Sequence, residues 1–203
     1  MSKETFKYKM GGISHMFYDL IVSNRSYRRF YEEHSISVER LRELVNYGRL
    51  SPSGANKQPL KYIISGDKTK NELIFPHLLW AGYLKEWTGP EEGERPSGYI
   101  VILQDKNIGP SGVDHGIAAQ SILLGARSMD LGGCMIQSIK RDELKAALQI
   151  SDQYEILLVV ALGKPKETVI LDEIEDGDDI KYWRDKNQEH HVPKRKLQDI
   201  IVE

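Results

Sequence analysis

One run of residues constrains the fold more than any other: Glu155-Ile-Leu-Leu-Val-Val-Ala-Leu-Gly163. It is too short to cross a bilayer and has no polar face, which is the pattern of a strand covered on both sides. A strand of that kind needs an apolar layer above it and another below. Three further segments read as strands, Lys61–Ser65, Tyr99–Leu103 and Cys134–Ile139. Helical patterns lie between them at about Ser14–Ser23, from Ser37 to about Gly48, from Lys68 to about Trp87 with a break near Pro76, at Val113–Met129 and at Arg141–Gln149. Strands alternating with helices imply a central sheet layered by helices. Ser37 is placed to cap the second helix, with Ile36 and Leu41 as its hydrophobic staple. Small residues crowd the Val113–Met129 helix, marking it as the central packing helix, and Leu131-Gly-Gly133 is read as its stop.

The 203 residues suffice for one core and are too few for two comfortable domains. A net charge of −2 supplies no broad basic field to recruit nucleic acid or an anionic membrane, so any anion site must be local. The single cysteine, Cys134, excludes an internal disulfide framework and fits a reducing compartment. Met1–Lys9 is charged where a signal peptide would be apolar, and no segment approaches the roughly 20 apolar residues of a membrane span. A cytoplasmic location is expected. After Pro165 come an acidic run, Asp172–Asp179, and a polar tail whose end, Leu197–Val202, is apolar enough to pack on its own domain or across a dimer.

Two segments carry the chemistry. In Asn24-Arg-Ser-Tyr-Arg-Arg-Phe30, an extended backbone puts Arg28 on the side of Ser26, with Arg25 and Tyr27 opposite. Forked guanidinium donors beside a hydroxyl suit a phosphate, although a solvated basic turn has the same composition. Ser51-Pro-Ser-Gly-Ala-Asn-Lys-Gln-Pro-Leu-Lys-Tyr62 joins a helix to a strand through small residues and two amides, which can follow a flat ligand of mixed polarity or simply form a helix exit.

In order and spacing these two segments, with Leu131–Ile136, Leu157–Pro165 and Lys194–Ile201, resemble the FMN-dependent nitroreductase family. The resemblance covers most of the chain. It implies an α+β fold, a nitroreductase-like three-layer α/β/α sandwich with a central mixed sheet, in a single domain spanning residues 1–203. It also implies a homodimer with a flavin at each subunit interface and a C-terminal tail, about 180–203, packing on the partner. The implied activity is an oxidoreductase in which NADH or NADPH reduces FMN, which then reduces a small-molecule acceptor such as a nitroaromatic or quinone. A specialised flavin reaction such as reductive dehalogenation, or flavin binding without turnover, are the alternatives.

By the same resemblance Arg25, Ser26 and Arg28, with Lys194 or Arg195 from the tail, hold the phosphate. Pro52, Ser53, Gly54 and Asn56 touch the flavin, and Gln137 and Ser138 run beside its ring system. Lys85 and Trp87 fall in the middle of the chain, where the family builds its substrate-facing wall. Helical spacing puts Trp80, Tyr83 and Trp87 on one stripe, and Gly89–Pro96 reads as a mobile lid. The chain departs from the family pattern at Asn24 (usually arginine), Leu60 (usually tryptophan) and Lys196 (commonly proline).

The flavin carries the redox chemistry, so no protein nucleophile is expected. No metal site is expected either. His190 and His191 are adjacent and cannot both face one ion from a regular element, and Asp172–Gly177 lacks the ligand pattern of a calcium loop. Cys134 reads as a buried, inert thiol, and Gly109–Gly112 as a turn.

Overall fold

The computed structural model describes residues 12–202; the charged N-terminal segment Met1–Lys9 lies outside the described residues. Helix α1 (Gly12–Ser23) leads into the short strand β1 (Phe30–Tyr31), then α2 (Val38–Leu50), β2 (Leu60–Ser65), α3 (Lys68–Ile74), β3 (Gly98–Asp105) and α4 (Asp114–Arg127). There follow β4 (Gly132–Ile136), α5 (Arg141–Ala147) and β5 (Tyr154–Pro165), and finally β6 (Val169–Ile174), β7 (Trp183–Arg184) and β8 (His190–Arg195).

The apolar run seen in the sequence is β5, and it sits inside the larger sheet. It pairs with β3 on one side and with β4 and β1 on the other, and β2 forms the edge beyond β3. Alternation along the strands divides their side chains between two cores. Ile100, Ile102, Leu158, Val160 and Leu162 meet Leu41 and Leu44 of α2 and Ala119, Ile122 and Ala126 of α4. Tyr99, Val101, Val159 and Ala161 face the other way, onto Ile74 of α3 and Leu144 of α5. The three layers follow from this double burial.

The sheet expected to be mixed is antiparallel in every ladder among the described residues. The reason lies in the order of filling. The α4 crossover returns the chain so that β4 runs in the direction of β3, and the slot left between them accepts β5 running in the opposite direction. Parallel pairing survives only at the isolated bridge between Ser26 and Gly133 and in a second, three-stranded sheet, where β6 lies parallel to β8 and β7 antiparallel.

Ser37 caps α2, its side chain accepting the Arg40 N–H, and Ile36 and Leu41 are both buried as the staple requires. Gly132 and Gly133 do not stop α4. The left-handed residue is Asp130, at φ 57°, and both glycines belong to β4. They are required by close approach instead. A Cβ on Gly132 would lie 2.5 Å from the Tyr27 ring, and one on Gly133 would lie 2.4 Å from the Ala161 carbonyl oxygen.

The helix expected to continue to Trp87 ends at Ile74, followed by a 3-10 turn at Phe75–His77. Pro76 withholds an amide, and Leu78 then bridges to Ile139 while Leu79 N–H donates to the Ser138 carbonyl. The segment is captured by the sheet edge, so Trp80, Tyr83 and Trp87 form no helical stripe.

Candidate functional site

The segment Arg25–Phe30 is extended because it lies along β4. Ser26 bridges to Gly133, and the Tyr27 N–H donates to the Gly133 carbonyl at 3.0 Å. Arg25 turns back to the end of α1, its Nη2 donating to the Ile21 carbonyl at 2.8 Å. Arg28 points the other way, its Nη1 lying 3.2 Å from both the Ser26 carbonyl and His190 Nε2, with its guanidinium 4.9 Å from the centre of the Tyr182 ring. Arg29 is committed elsewhere, to Glu94 at 2.7 Å, and Lys166 reaches the same carboxylate. The Arg29 hydrogen bond, aided by Lys166, holds the Glu94 carboxyl down to about 2.

The Gly89–Pro96 loop, expected to be a lid, is tied to this segment. Besides Glu94, the N–H groups of Gly93 and Arg95 donate to Glu32, and Phe30 N–H donates to the Glu94 carbonyl.

A buried carboxylate organises the rest. Glu167, in the link between β5 and β6, accepts from the backbone N–H groups of Arg28 and Arg29 and, at 3.0 Å, from Arg184 Nη2. The Arg184 guanidinium lies over Trp87, 4.2 Å from the ring centre. Trp87 therefore braces a cation, while Lys85 is exposed. His190 is almost wholly buried between Arg28 and Arg184. Burial first, then the two guanidinium charges, pushes its pKa down to about 4, so the ring is neutral at pH 7. With Nε2 facing the Arg28 donor, the ring proton belongs on Nδ1, which has no acceptor.

Arg28 also lines a cavity of about 130 Å³ with Trp80, Cys134, Gln137 and Ser138, so the first motif and the predicted ring-side residues share one site. Burial pushes the Cys134 thiol up, leaving it protonated and inert. Around this site, among the described residues, several buried donors have no acceptor: Trp80 Nε1, Arg25 Nε, Arg127 Nε, Arg184 Nε and His190 Nδ1. Burial also lowers the pKa of Arg25 and Arg184. Buried donors of this kind are costly unless an acceptor meets them.

The second motif is built at a different place. Ser53 Oγ donates to Asp114 Oδ2 at 2.6 Å, Gly54 N–H donates to Asp114 Oδ1 at 3.0 Å, and Ser53 Oγ accepts the Gln58 N–H. Asp114 is buried in the first turn of α4, where a carboxylate suits the helix N-terminus. Between these anchors Ala55, Asn56 and Gln58 all adopt left-handed φ values of 50–54°. Pro52, Ser53 and Gln58 line a cavity of about 220 Å³ with Leu60, Tyr62 and Asp114. Burial and the Asp114 charge push the Tyr62 hydroxyl up to about 12.

The two motifs stand at opposite ends of α4. Ser53 is fastened to its first turn, and Tyr27 to the strand that begins just past its last. Fourteen helical residues separate them, a span of about 21 Å. Their cavities have no lining residue in common.

The tail donors nearest the first motif are the cation Arg184 and the neutral ring of His190. Lys194 and Arg195 lie four and five residues further along β8 than His190, roughly 13–17 Å away, and Arg195 pairs with Asp176 at 2.9 Å. Sequence reasoning missed Arg184, His190 and Asp114. Only Asp114 had a local signal, an acid at a helix start; the other two are placed by a hairpin that no hydrophobic pattern announces.

The sequence model of the nitroreductase family matches residues 21–90 and 111–164. Among solved structures, a candidate NADH dehydrogenase/NAD(P)H nitroreductase from Parabacteroides distasonis superposes with a TM-score of 0.62 at 23% identity, over 75% of this chain and 89% of that one. An FMN-dependent nitroreductase from Clostridium difficile R20291 gives 0.57 at 22% identity, over 73% and 87%. A protein from Exiguobacterium sibiricum solved in complex with FMN gives 0.60 at 18% identity, over 74% and 89%. A search of the curated proteins finds no match to this sequence.

Proposed function

The chain belongs to the nitroreductase family, and from that premise we propose that it is an FMN-dependent oxidoreductase that takes electrons from NADH or NADPH and delivers them to a nitroaromatic, quinone or similar conjugated acceptor. The observation that carries this reading is the surplus of buried donors around Arg28, Trp80 and the end of β4. An FMN phosphate and the carbonyls of a flavin ring are the kind of acceptors those groups lack.

Arg25, Ser26 and Arg28 would hold the phosphate, joined by Arg184 and His190 from the tail; Lys194 and Arg195 are assigned to the outer end of β8. Neutral His190 contributes an N–H without adding a charge to the arginine cluster. Gln137 and Ser138 would meet the ring edge, and Trp80 adds an indole N–H. When bound, FMN supplies the hydride and electron chemistry; the chain's own residues orient it and stabilise the charge of its reduced form. Lys85, exposed beside Trp87, is assigned to the substrate side.

Pro52, Ser53, Gly54 and Asn56 lie an α4 length from the first motif, so we assign them to the flavin bound by a second copy of the chain in a homodimer. Apolar side chains exposed at Met16 and Phe17 of α1, at Val113 and Ile117 around the start of α4, and at Ile200–Val202 of the tail are available for such an interface. No helix among the described residues is long and apolar enough to cross a membrane.

The test is direct. The purified protein should be yellow, with an FMN spectrum, and should oxidise NADH or NADPH in the presence of a quinone. Arg25→Ala and Arg28→Ala should lower flavin occupancy with little loss of fold by circular dichroism. Colourless protein that takes up no FMN on reconstitution would sink the proposal. Flavin bound without turnover would leave a binding protein.

A further inference from the structure

The β7–β8 hairpin carries a second constellation, outside the segments that match the family. Trp183 and His191 are direct partners in the ladder, and the Asp185 N–H donates to the Glu189 carbonyl at 3.1 Å. Strand alternation therefore puts Trp183, Asp185, Glu189 and His191 on one face, while Arg184 and His190 take the other, toward Glu167 and Arg28. One ligand-type atom from each of Asp185, Glu189 and His191 lies within 4.8 Å of the other two, the only such group of three among the described residues. Bonds of about 2.0–2.2 Å from nitrogen and oxygen place two ligands of a tetrahedral ion about 3.4 Å apart, so side-chain adjustments on the order of 1 Å bring all three atoms onto a single cation.

Three details set this group apart from a chance meeting of acids. First, the His191 side chain is only 9% exposed, and its ring is already fixed, with Nδ1 2.7 Å from Asp172 Oδ2. A carboxylate on one imidazole nitrogen is the usual outer support of a metal-ligating histidine. Second, the other nitrogen, Nε2, has no hydrogen-bond partner among the described residues. Trp183 stacks on the ring face at 4.1 Å and 7°, which leaves the in-plane lone pair open. Third, Asp185 Oδ1 accepts the N–H groups of Asn187 and Glu189, but its second oxygen has no partner among the described residues, and no described lysine or arginine pairs with Asp185 or Glu189. Two half-buried carboxylates side by side repel unless a cation lies between them.

We propose that Asp185, Glu189 and His191 Nε2 bind one divalent transition-metal ion of the zinc class, with Asp172 as the outer carboxylate that orients the imidazole. A donor set of one nitrogen and two carboxylates favours Zn²⁺ over Mg²⁺ or Ca²⁺, and three protein ligands leave room for water. The ion closes the turn from which Arg184 and His190 hang, so it braces the inner face of the hairpin against Glu167.

The full-length protein, stripped of metal with a chelator, is titrated with Zn²⁺ by calorimetry. One ion per chain is expected. Glu189→Gln and Asp185→Asn should each weaken binding about tenfold or more, and Asp172→Asn, which leaves all three ligands in place, roughly 10- to 100-fold. Asn at 185 keeps an oxygen for the turn amides, so these variants should match the parent by circular dichroism. The thermal midpoint should rise with Zn²⁺ in the parent, not in Glu189→Gln, and should not respond to Mg²⁺. Absence of saturable Zn²⁺ binding, or binding unchanged by Glu189→Gln and Asp172→Asn, would overturn the proposal.

Discussion

In the central sheet, Ile100, Ile102, Val159 and Val160 are fully buried between helices, and cohesion comes from area removed from water. In the C-terminal sheet, most of β6 is partly exposed, and the holding contacts are single and directional: Glu167 with Arg184, Asp172 with His191, and Trp183 stacked on His191. The first kind of contact tolerates rearrangement because it has no preferred direction. The second fixes a few side chains in place, which is what a binding site needs, and depends on each partner being present.

Glu167 tests that dependence most severely. Its side chain is 1% exposed. Glu167→Ala leaves Arg184 and two backbone N–H groups without their acceptor, and should cost about 4 kcal/mol by urea denaturation. A loss below about 1 kcal/mol would mean that the C-terminal sheet opens independently of the core. Leu162→Ala, in the wholly buried part of β5, should cost about 3 kcal/mol, with no change in the Asp172–His191 contact.

His190 gives the contrast a pH signature. Its folded value of about 4 lies below the ordinary 6.5, so the unfolded chain takes up the proton first. Stability is complete above pH 6.5 and falls as pH drops toward 4. Urea midpoints measured across that window should show the slope, and His190→Gln should flatten it; an unchanged slope would place the titration elsewhere. The smallest effect belongs to the exposed cap of α2. Ser37→Ala should cost about 1 kcal/mol and leave the C-terminal sheet untouched, as thermal melts of this variant and the parent would reveal.

This contrast also explains what could be read from the residues alone. The apolar run of β5, the Ser37 cap with its Ile36 and Leu41 staple, and the small-residue helix α4 all stood out, because local pattern and burial agree there. Arg28, Gln137 and Ser138 were nominated separately, and they line one cavity. Where tertiary contacts overrule pattern, the reading failed. Trp80, Tyr83 and Trp87 have helical spacing, yet the sheet edge captures their segment. Gly132 and Gly133 resemble a helix stop, yet neighbouring rings and carbonyls are what exclude a side chain there. Arg184 and His190 could not be ranked above Lys194 and Arg195, because which tail side chain faces Arg28 is decided by the β7–β8 turn.

The left-handed backbone at Ala55, Asn56 and Gln58 has a consequence for how this loop would change under selection. Such conformations cost of order 1 kcal/mol or more apiece outside glycine, and here the Asp114 carboxylate holds them in place from its buried seat. The loop is thus rigid before anything binds, and it would discriminate between ligands by shape rather than by moulding itself around them. Glycine substitutions at these positions would relax that strain while loosening the contour. Variants selected for a more stable protein and variants selected for a broader range of ligands would therefore be expected to gather at the same three residues.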